Sequence, residues 1–198
     1  MNTVKIAFVT AISALIILMA CGGTSDSGTI TDARDGKRYR TVRIGNRTWM
    51  AENLNYAGTG NSWCYEDRKG NCRKYGRLYD WNTAMQACPA GWRLSTNADW
   101  RDLVEAAGGD VAATKLKSRV PAWNGTDELG FSALPGGMRD SWGNYFSVGT
   151  GGEWWHVSGS RSDGAVTRYM RSRHEKVIGI SLCDSSKSRG HSVRCVQE

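Results

Sequence analysis

Histidine, proline and phenylalanine are scarce in this sequence, with three residues of each among 198. The three histidines, His156, His174 and His191, do not have metal-ligand spacing, and neither a Cys-x-x-Cys pair nor a His-Glu-x-x-His motif occurs. The sequence also lacks the Gly-x-Ser-x-Gly motif of serine hydrolases and a glycine-rich phosphate loop. We therefore expect no metal, no cofactor and no enzymatic activity, with the histidines serving local packing.

A membrane-spanning run is also absent. The apolar run Ile6–Ala20 falls short of the roughly 20 residues that a mature transmembrane helix needs, and the only charged side chain before it is Lys5. This pattern is typical of a cleavable export signal. The run ends in Leu18-Met19-Ala20-Cys21, which resembles the lipobox of bacterial lipoproteins. We therefore predict a lipoprotein signal peptide over residues 1–20 and lipidation of Cys21, in preference to an ordinary signal peptide or a buried helix.

Small, polar and glycine-rich residues follow Cys21, as in a flexible tether. We assign residues 21–31 to this tether and residues 32–198 to one globular domain, which is long enough to bury a core. Gly22 occupies the position at which aspartate favours retention in the inner membrane, in lipoprotein sorting as generally understood. The expected location is therefore the outer membrane, where several acyl chains on Cys21 would make the attachment durable.

The charge balance is mildly basic. The sequence has 26 Lys and Arg against 19 Asp and Glu, and the basic residues are scattered rather than gathered in a helical stripe. A nucleic-acid binder concentrates its positive charge, so nucleic acid is not an expected partner. An anionic polysaccharide remains a candidate ligand.

Five cysteines follow Cys21, and in an exported protein they indicate disulfides. Cys64 and Cys72 bracket a polar turn that would bring their sulfurs together. A bond between Cys88 and Cys195 would close a long loop and stabilise the fold by about 4 to 5 kcal/mol on the chain-entropy model. Cys183 is then either a buried thiol or an alternative partner for Cys195, and the sequence does not decide between them.

The pattern of apolar residues predicts short strands around a few helices. Residues 29–50 alternate like a hairpin with its turn at Gly45-Asn46, whereas residues 53–71 read as loop. A helix is predicted over Leu78–Ala87. Thr96 and Asp99 have the spacing of a capping box, which predicts a second helix that ends at Gly108-Gly109.

The segments after Leu116 read as short strands and turns, closing with an antiparallel pair between Val177–Cys183 and Ser192–Gln197. The predicted order of elements is short strands, then two short helices, then a long loop-rich C-terminal half. This order predicts an α+β fold with short antiparallel sheets.

Several separated motifs, in the right order, resemble the Fibrobacter succinogenes major paralogous domain family, over a span from about Asp32 to the C-terminus. The resemblance implies a surface or secreted bacterial domain, often found on lipoproteins, whose molecular activity is not established. It also implies the disulfides Cys64–Cys72 and Cys88–Cys195. The motifs that carry the resemblance are Glu52-Asn53-Leu54-Asn55-Tyr56, Trp63-Cys64-Tyr65, Gly76-Arg77-Leu78-Tyr79-Asp80-Trp81, Ala84-Met85, Ala87-Cys88-Pro89-Ala90-Gly91-Trp92-Arg93-Leu94, Gly130-Phe131-Ser132-Ala133-Leu134-Pro135-Gly136-Gly137 with Arg139, and Ser192-Val193-Arg194-Cys195-Val196.

Two segments, residues 92–100 and 193–196, are also similar to the sulfatase-modifying, formylglycine-generating family. That similarity implies a C-type-lectin-like fold. Catalysis of the family's kind is not expected, because Cys183 and Cys195 are spaced too widely for its close pair of reactive cysteines. The sugar-binding triplets of calcium-dependent lectins are absent as well. Four oxygen-bearing side chains could still bind an ion: Asp127, Glu128, Asp140 and Asn144. A role as loop surface is favoured for them.

Aromatic residues of the loop-rich half are the best candidates for a binding surface, because flat rings stack on sugar rings. Trp154 and Trp155 are adjacent in a strand, so one ring should point inward and the other outward. We predict a ligand-binding site of Trp142, Tyr145 and either Trp154 or Trp155, with Asn144 as a hydrogen-bonding neighbour. Trp123, Asn124 and Asp140 lie in the same half of the chain.

Three functional classes follow. The first is a non-catalytic surface module that binds polysaccharide or another surface protein. The second is a structural lipoprotein of a larger envelope assembly, which a large flat apolar patch would favour. The third is a degenerate enzyme on the formylglycine-generating scaffold, which a buried Cys183 thiol facing a polar pocket would favour.

Overall fold

The structure is a computed structural model that describes residues 26–58, 60–158, 165–172, 174–182 and 186–198. The signal peptide predicted for residues 1–20, the lipidation site Cys21 and the unassigned Cys183 lie outside the described residues. No helix within the described ranges has the length and apolar character needed to cross a membrane.

Thirteen short strands run through the described residues. In chain order they are β1 (Ser27–Thr31), β2 (Arg38–Ile44), β3 (Arg47–Met50), β4 (Ser62–Trp63), β5 (Leu78–Tyr79), β6 (Trp92–Leu94), β7 (Gly136–Arg139), β8 (Tyr145–Val148), β9 (Gly151–Val157), β10 (Ala165–Arg171), β11 (His174–Leu182), β12 (His191–Ser192) and β13 (Cys195–Gln197).

The first sheet is antiparallel throughout and has the spatial order β1-β2-β3-β13-β6. The predicted hairpin is confirmed, since β2 and β3 pair across the Gly45-Asn46 turn. The tether predicted for residues 21–31 is wrong from Ser27 onward. Residues Ser27–Thr31 pair with β2, because their backbone groups complete the open edge of that strand.

The second sheet is mixed and curls, with the order β11-β10-β9-β12-β5-β4 and the β7–β8 hairpin joined to β9. Strands β12 and β7 run parallel to β9, and the other pairs are antiparallel. The predicted pairing of Val177–Cys183 with Ser192–Gln197 is wrong. Strand β11 pairs with β10, while β13 inserts between β3 and β6 in the other sheet.

The helices are few and short: α1 (Lys69–Tyr75), α2 (Trp81–Ala84), α3 (Asn97–Ala106) and α4 (Ala112–Leu116). The capping box of α3 is confirmed, with Thr96 and Asp99 satisfying each other's backbone amides. The helix predicted over Leu78–Ala87 is reduced to α2, because Leu78 and Tyr79 form β5. Helix α1 begins inside the loop predicted for residues 53–71 and extends beyond it; its N-cap Arg68 makes no side-chain cap. The fold is thus a mixed α+β fold, as predicted.

Two aromatic cores lie on opposite faces of β9. Trp154 packs in one core with Trp49 and Trp100, whereas Trp155 packs in the other with Trp81. Successive side chains of a strand point to opposite faces of the sheet. Six consecutive residues of β9, from Gly151 to His156, are therefore buried.

Two disulfides join the outer segments to these cores. Cys64 is bonded to Cys72 across eight positions, and Cys88 is bonded to Cys195 across 107 positions. Both predicted pairings are confirmed. The second bond ties the segment after α2 to β13, so it links the middle of the chain to its C-terminus.

Candidate functional site

The candidate site is the loop of the β7–β8 hairpin, residues 140–144, which we call the hairpin loop. Asp140 organises it from inside: its carboxylate accepts hydrogen bonds from the backbone amide of Trp142 at 3.0 Å and from that of Asn144 at 2.8 Å. The Asn144 side chain donates a third, at 3.0 Å. Burial alone would raise the pKa of Asp140, but these donors hold it below its ordinary value. The charged carboxylate thus holds the loop together by hydrogen bonds from within.

Trp142 is held by its backbone while its ring faces solvent. The side chain is 85 % exposed, well above the next large hydrophobic side chains in the described residues, Met85 and Phe146 at 46 %. Water around an indole is costly, at roughly 25 cal/mol per Å² of apolar surface. A flat ligand that covered this ring would recover that free energy without having to order the loop.

Tyr145 fixes the base of the hairpin loop to the segment before α1. Its ring centroid lies 5.1 Å from that of Tyr65, and its hydroxyl donates to Asp67 Oδ1 at 2.9 Å. Burial, together with the nearby Asp67, raises the pKa of Tyr145, so the hydroxyl remains protonated at neutral pH. Arg139 is the last residue of β7, directly before the loop, and its guanidinium lies 4.2 Å from the centre of the Trp63 ring.

Two of the predicted site residues lie elsewhere. Trp154 and Trp155 are both fully buried, so neither can contribute an exposed ring. The expectation that one of them points to solvent is wrong because β9 is covered on both faces. Each indole N–H is also satisfied internally, by Asn53 Oδ1 at 2.9 Å and by the Tyr79 carbonyl at 2.7 Å. Their role is structural.

The remaining polar candidates divide between separate local networks. Asn144 is exposed, but its side-chain amide already donates a hydrogen bond to Asp140. Asp127 accepts hydrogen bonds from the backbone and hydroxyl of Ser132, and Glu128 lies 3.6 Å from Lys115 Nζ. Within the described ranges no group of three or more His, Cys, Asp or Glu side chains is placed to hold a metal ion. Trp123 is buried and donates to the Ala133 carbonyl.

The sequence did not assign a site role to two residues that contact the base of the hairpin loop, Trp63 and Arg139. The contact between Trp63 and Arg139 joins positions that are 76 apart in the chain. Only the side-by-side arrangement of the curled sheet brings them together. The occurrence of both in motifs of the family resemblance was the one signal that could have pointed to them.

Two of the histidines are buried rather than displayed. His191 Nδ1 lies 3.2 Å from Glu153 Oε2, and Arg171 bonds to the same carboxylate. Burial opposes ionisation of Glu153, yet the contacts with His191 and Arg171 outweigh it and lower the pKa of Glu153 to about 2. His156 is 1 % exposed, on the same strand. These groups lie in the packed interior beside β9.

The fold and the hairpin loop define a disulfide-bonded α+β domain that displays a braced, solvent-facing tryptophan. The chain belongs to the Fibrobacter succinogenes major domain family, whose family model matches residues 42–197. No curated protein and no solved structure matches the chain. The C-type-lectin-like fold, expected from the similarity to formylglycine-generating proteins, therefore stays a prediction.

Proposed function

We propose that the protein is an outer-membrane lipoprotein, anchored through Cys21, whose C-type-lectin-like domain binds polysaccharide without catalysis. Export and lipidation are supported by the apolar run that ends at Ala20-Cys21. The two disulfides agree with an oxidising compartment. The observation that carries the binding role is the 85 % exposure of Trp142 on a loop that Asp140 holds rigid.

A saccharide suits this loop better than an apolar protein partner does. One exposed ring is enough to stack on a pyranose face, whereas a stable protein interface needs a contiguous apolar patch of several side chains. The other side chains of the hairpin loop are polar, and those of Ser141 and Asn144 are exposed. Such groups exchange hydrogen bonds with sugar hydroxyls.

Isothermal titration of the full-length protein in non-ionic detergent against soluble plant and host glycans tests the binding role. Trp142→Ala should weaken the strongest interaction by about two- to tenfold, because stacking on an aromatic ring contributes about 0.5 to 1.5 kcal/mol. Met85→Ala, which removes another exposed apolar side chain away from the hairpin loop, is the matched control and should bind as the wild type does. Equal affinities in all three proteins would refute the assignment.

The anchor is tested separately. Mass spectrometry of the protein from its native membrane should show a mature N-terminus at an acylated Cys21, and Cys21→Ser should release the protein from the membrane fraction. An intact N-terminus with an unmodified cysteine would refute the anchor and leave the binding role untouched.

A further inference from the structure

A second site lies away from the hairpin loop, in a cleft of about 420 Å³ that we call the basic cleft. Its lining comes from strand β2, from the segment after β3, from the C-terminal end of α1 and from residues that precede β7. Five lining side chains carry positive charge, against one that carries negative charge, Glu52. The five are Lys37, Arg38, Arg40, Arg73 and Lys74.

The chain brings these residues together from two distant segments. Arg38 and Arg40 flank the buried Tyr39 on β2, so both point to the exposed face. Arg73 and Lys74 lie in the last turn of α1, where basic residues favour the helix dipole. Gly76 follows at φ 78°, packed so closely against Asn53 that a Cβ would lie within 2.7 Å of its side chain.

The end of α1 is thereby pinned next to the strand pair. Asn53 Nδ2 donates to the Tyr75 carbonyl at 2.8 Å, and the amide of Arg77 donates to the Leu54 carbonyl at 3.0 Å. The disulfide between Cys64 and Cys72 also holds this helix, and Cys72 itself lines the cleft. The basic residues of α1 therefore keep a fixed position relative to those of β2.

Three of the five cations are not neutralised by the protein. Arg40 pairs with Glu52 at 3.2 Å, and Lys37 pairs with Asp35 at 2.6 Å. Among the described residues, Arg38, Arg73 and Lys74 have no carboxylate within 4.0 Å. Like charges held in one cleft repel each other, which costs free energy that an anionic ligand would recover.

An unsatisfied hydroxyl gives an independent indication of a ligand. Ser118 lines the basic cleft and is only 7 % exposed, and within the described structure its Oγ has no hydrogen-bond partner. Buried polar atoms almost always have a partner, so a missing one calls for an explanation. A ligand oxygen that enters the cleft would supply it.

We propose that the basic cleft binds the carboxylate or sulfate groups of an acidic polysaccharide. The volume accommodates a sugar residue, and Asn55, Ser118 and Ser132 offer polar groups to its hydroxyls. The one aromatic residue that lines the cleft, Tyr39, is only 3 % exposed, so its ring offers nucleobases no open face on which to stack. The inference stands on its own residues and narrows the ligand class of the proposed function.

Titration of full-length protein with polygalacturonate, with its fully methyl-esterified neutral form and with chondroitin sulfate tests the proposal. The wild type should bind one or both acidic polymers and should bind the neutral ester much less. Binding of the acidic polymers should be weaker at about 500 mM than at about 50 mM NaCl, because salt screens charge interactions, with a screening length of about 10 Å at 0.1 M. Arg38→Gln with Arg73→Gln should lower the acidic affinity at least tenfold, because each charge-assisted hydrogen bond is worth about that factor.

Two further variants distinguish binding in the cleft from a general effect of positive charge and from binding at the hairpin loop. Arg101→Gln with Arg119→Gln removes the same charge from exposed positions outside the cleft and should change the affinity less than about twofold. Ser118→Ala should weaken acidic binding without lowering the melting temperature, since it removes a buried unpaired hydroxyl.

Equal losses in the two double variants, equal binding of the acidic and neutral polymers, or displacement by an oligonucleotide but not by a polyuronate would each overturn the proposal. If Trp142→Ala lost glycan binding while the cleft variants bound as the wild type does, the hairpin loop would be supported and the basic cleft would be contradicted.

Discussion

At the scale of single residues, Arg194 is the side chain with the most unusual environment. It is fully buried, and no carboxylate of the described residues forms an ion pair with it; its guanidinium donates to the carbonyls of Phe131 and Ser132 and to Asn53 Oδ1. Burial lowers the pKa of Arg194 to about 9, which leaves it charged at neutral pH. A single cation thus satisfies acceptors from two distant segments of the chain, residues 50–53 and 131–132.

Arg194→Met should therefore lower the free energy of unfolding by roughly 3 kcal/mol or more, because several buried oxygens lose their donor at once. Urea denaturation of the variant and of Arg101→Gln, an exposed control, measures the effect. A loss below about 0.5 kcal/mol, as expected for a surface residue, would contradict the role assigned to Arg194.

His156 is expected to make the fold acid-sensitive. Burial, and then the charge of Arg168, lowers the pKa of His156 from 6.5 to about 3. Between these pH values the unfolded chain binds a proton that the folded chain does not. The contribution to stability is therefore complete above pH 6.5 and is lost progressively as the pH falls toward 3.

The slope of unfolding free energy against pH, measured from pH 6.5 to 4.5 by urea denaturation, should be shallower in His156→Gln than in the wild type. Parallel slopes would show that His156 is protonated in the folded protein or is exposed there.

At the scale of elements, the N-terminus of α3 shows how a local signal can decide a structure. Thr96 Oγ1 accepts from the Asp99 amide at 3.2 Å, and the Asp99 carboxylate accepts from the Thr96 amide at 2.8 Å. Thr96→Ala should lower the free energy of unfolding by about 1 kcal/mol, whereas Thr96→Ser should retain most of it. An alanine variant as stable as the serine variant would contradict this account of the cap.

Features that depend on neighbouring residues were predictable, and features that depend on distant ones were not. The β2–β3 hairpin and the capping box are encoded within a few positions, and both are confirmed. Strand β13, by contrast, joins β3 and β6 through contacts across most of the chain. Its alternation of residues permits several partners, so the sequence pattern favoured a wrong neighbour.

The candidate site was predictable in part for the same reason. The turn-rich sequence around Trp142 indicated an exposed loop, and the structure places its ring in solvent. For Trp155, alternation in a strand predicted an exposed ring only if one face of the sheet is open. The second core, which covers that face with Trp81 and Tyr79, forms from segments some 75 residues away.

At the scale of the whole molecule, the two disulfides should differ in their contribution to stability. The Cys88–Cys195 bond closes a loop of 107 positions and the Cys64–Cys72 bond a loop of eight. Chain entropy assigns about 4.8 kcal/mol to the first and about 2.5 kcal/mol to the second. Replacing each pair by serine should therefore lower the unfolding free energy by about 2 kcal/mol more for the long loop. Equal losses from urea denaturation would contradict that expectation.

Trp142 is the proposed contact surface for a saccharide. The nine tryptophans all lie in described segments, and Trp142, at 85 % exposure, is the most exposed of them, so it should dominate the quenching of fluorescence by acrylamide. The most direct measurement is acrylamide quenching of the full-length protein with and without a saturating glycan identified by titration. The bound glycan should lower the quenching constant nearly to that of Trp142→Ala. An unchanged quenching constant with the glycan bound would contradict a saccharide contact at Trp142.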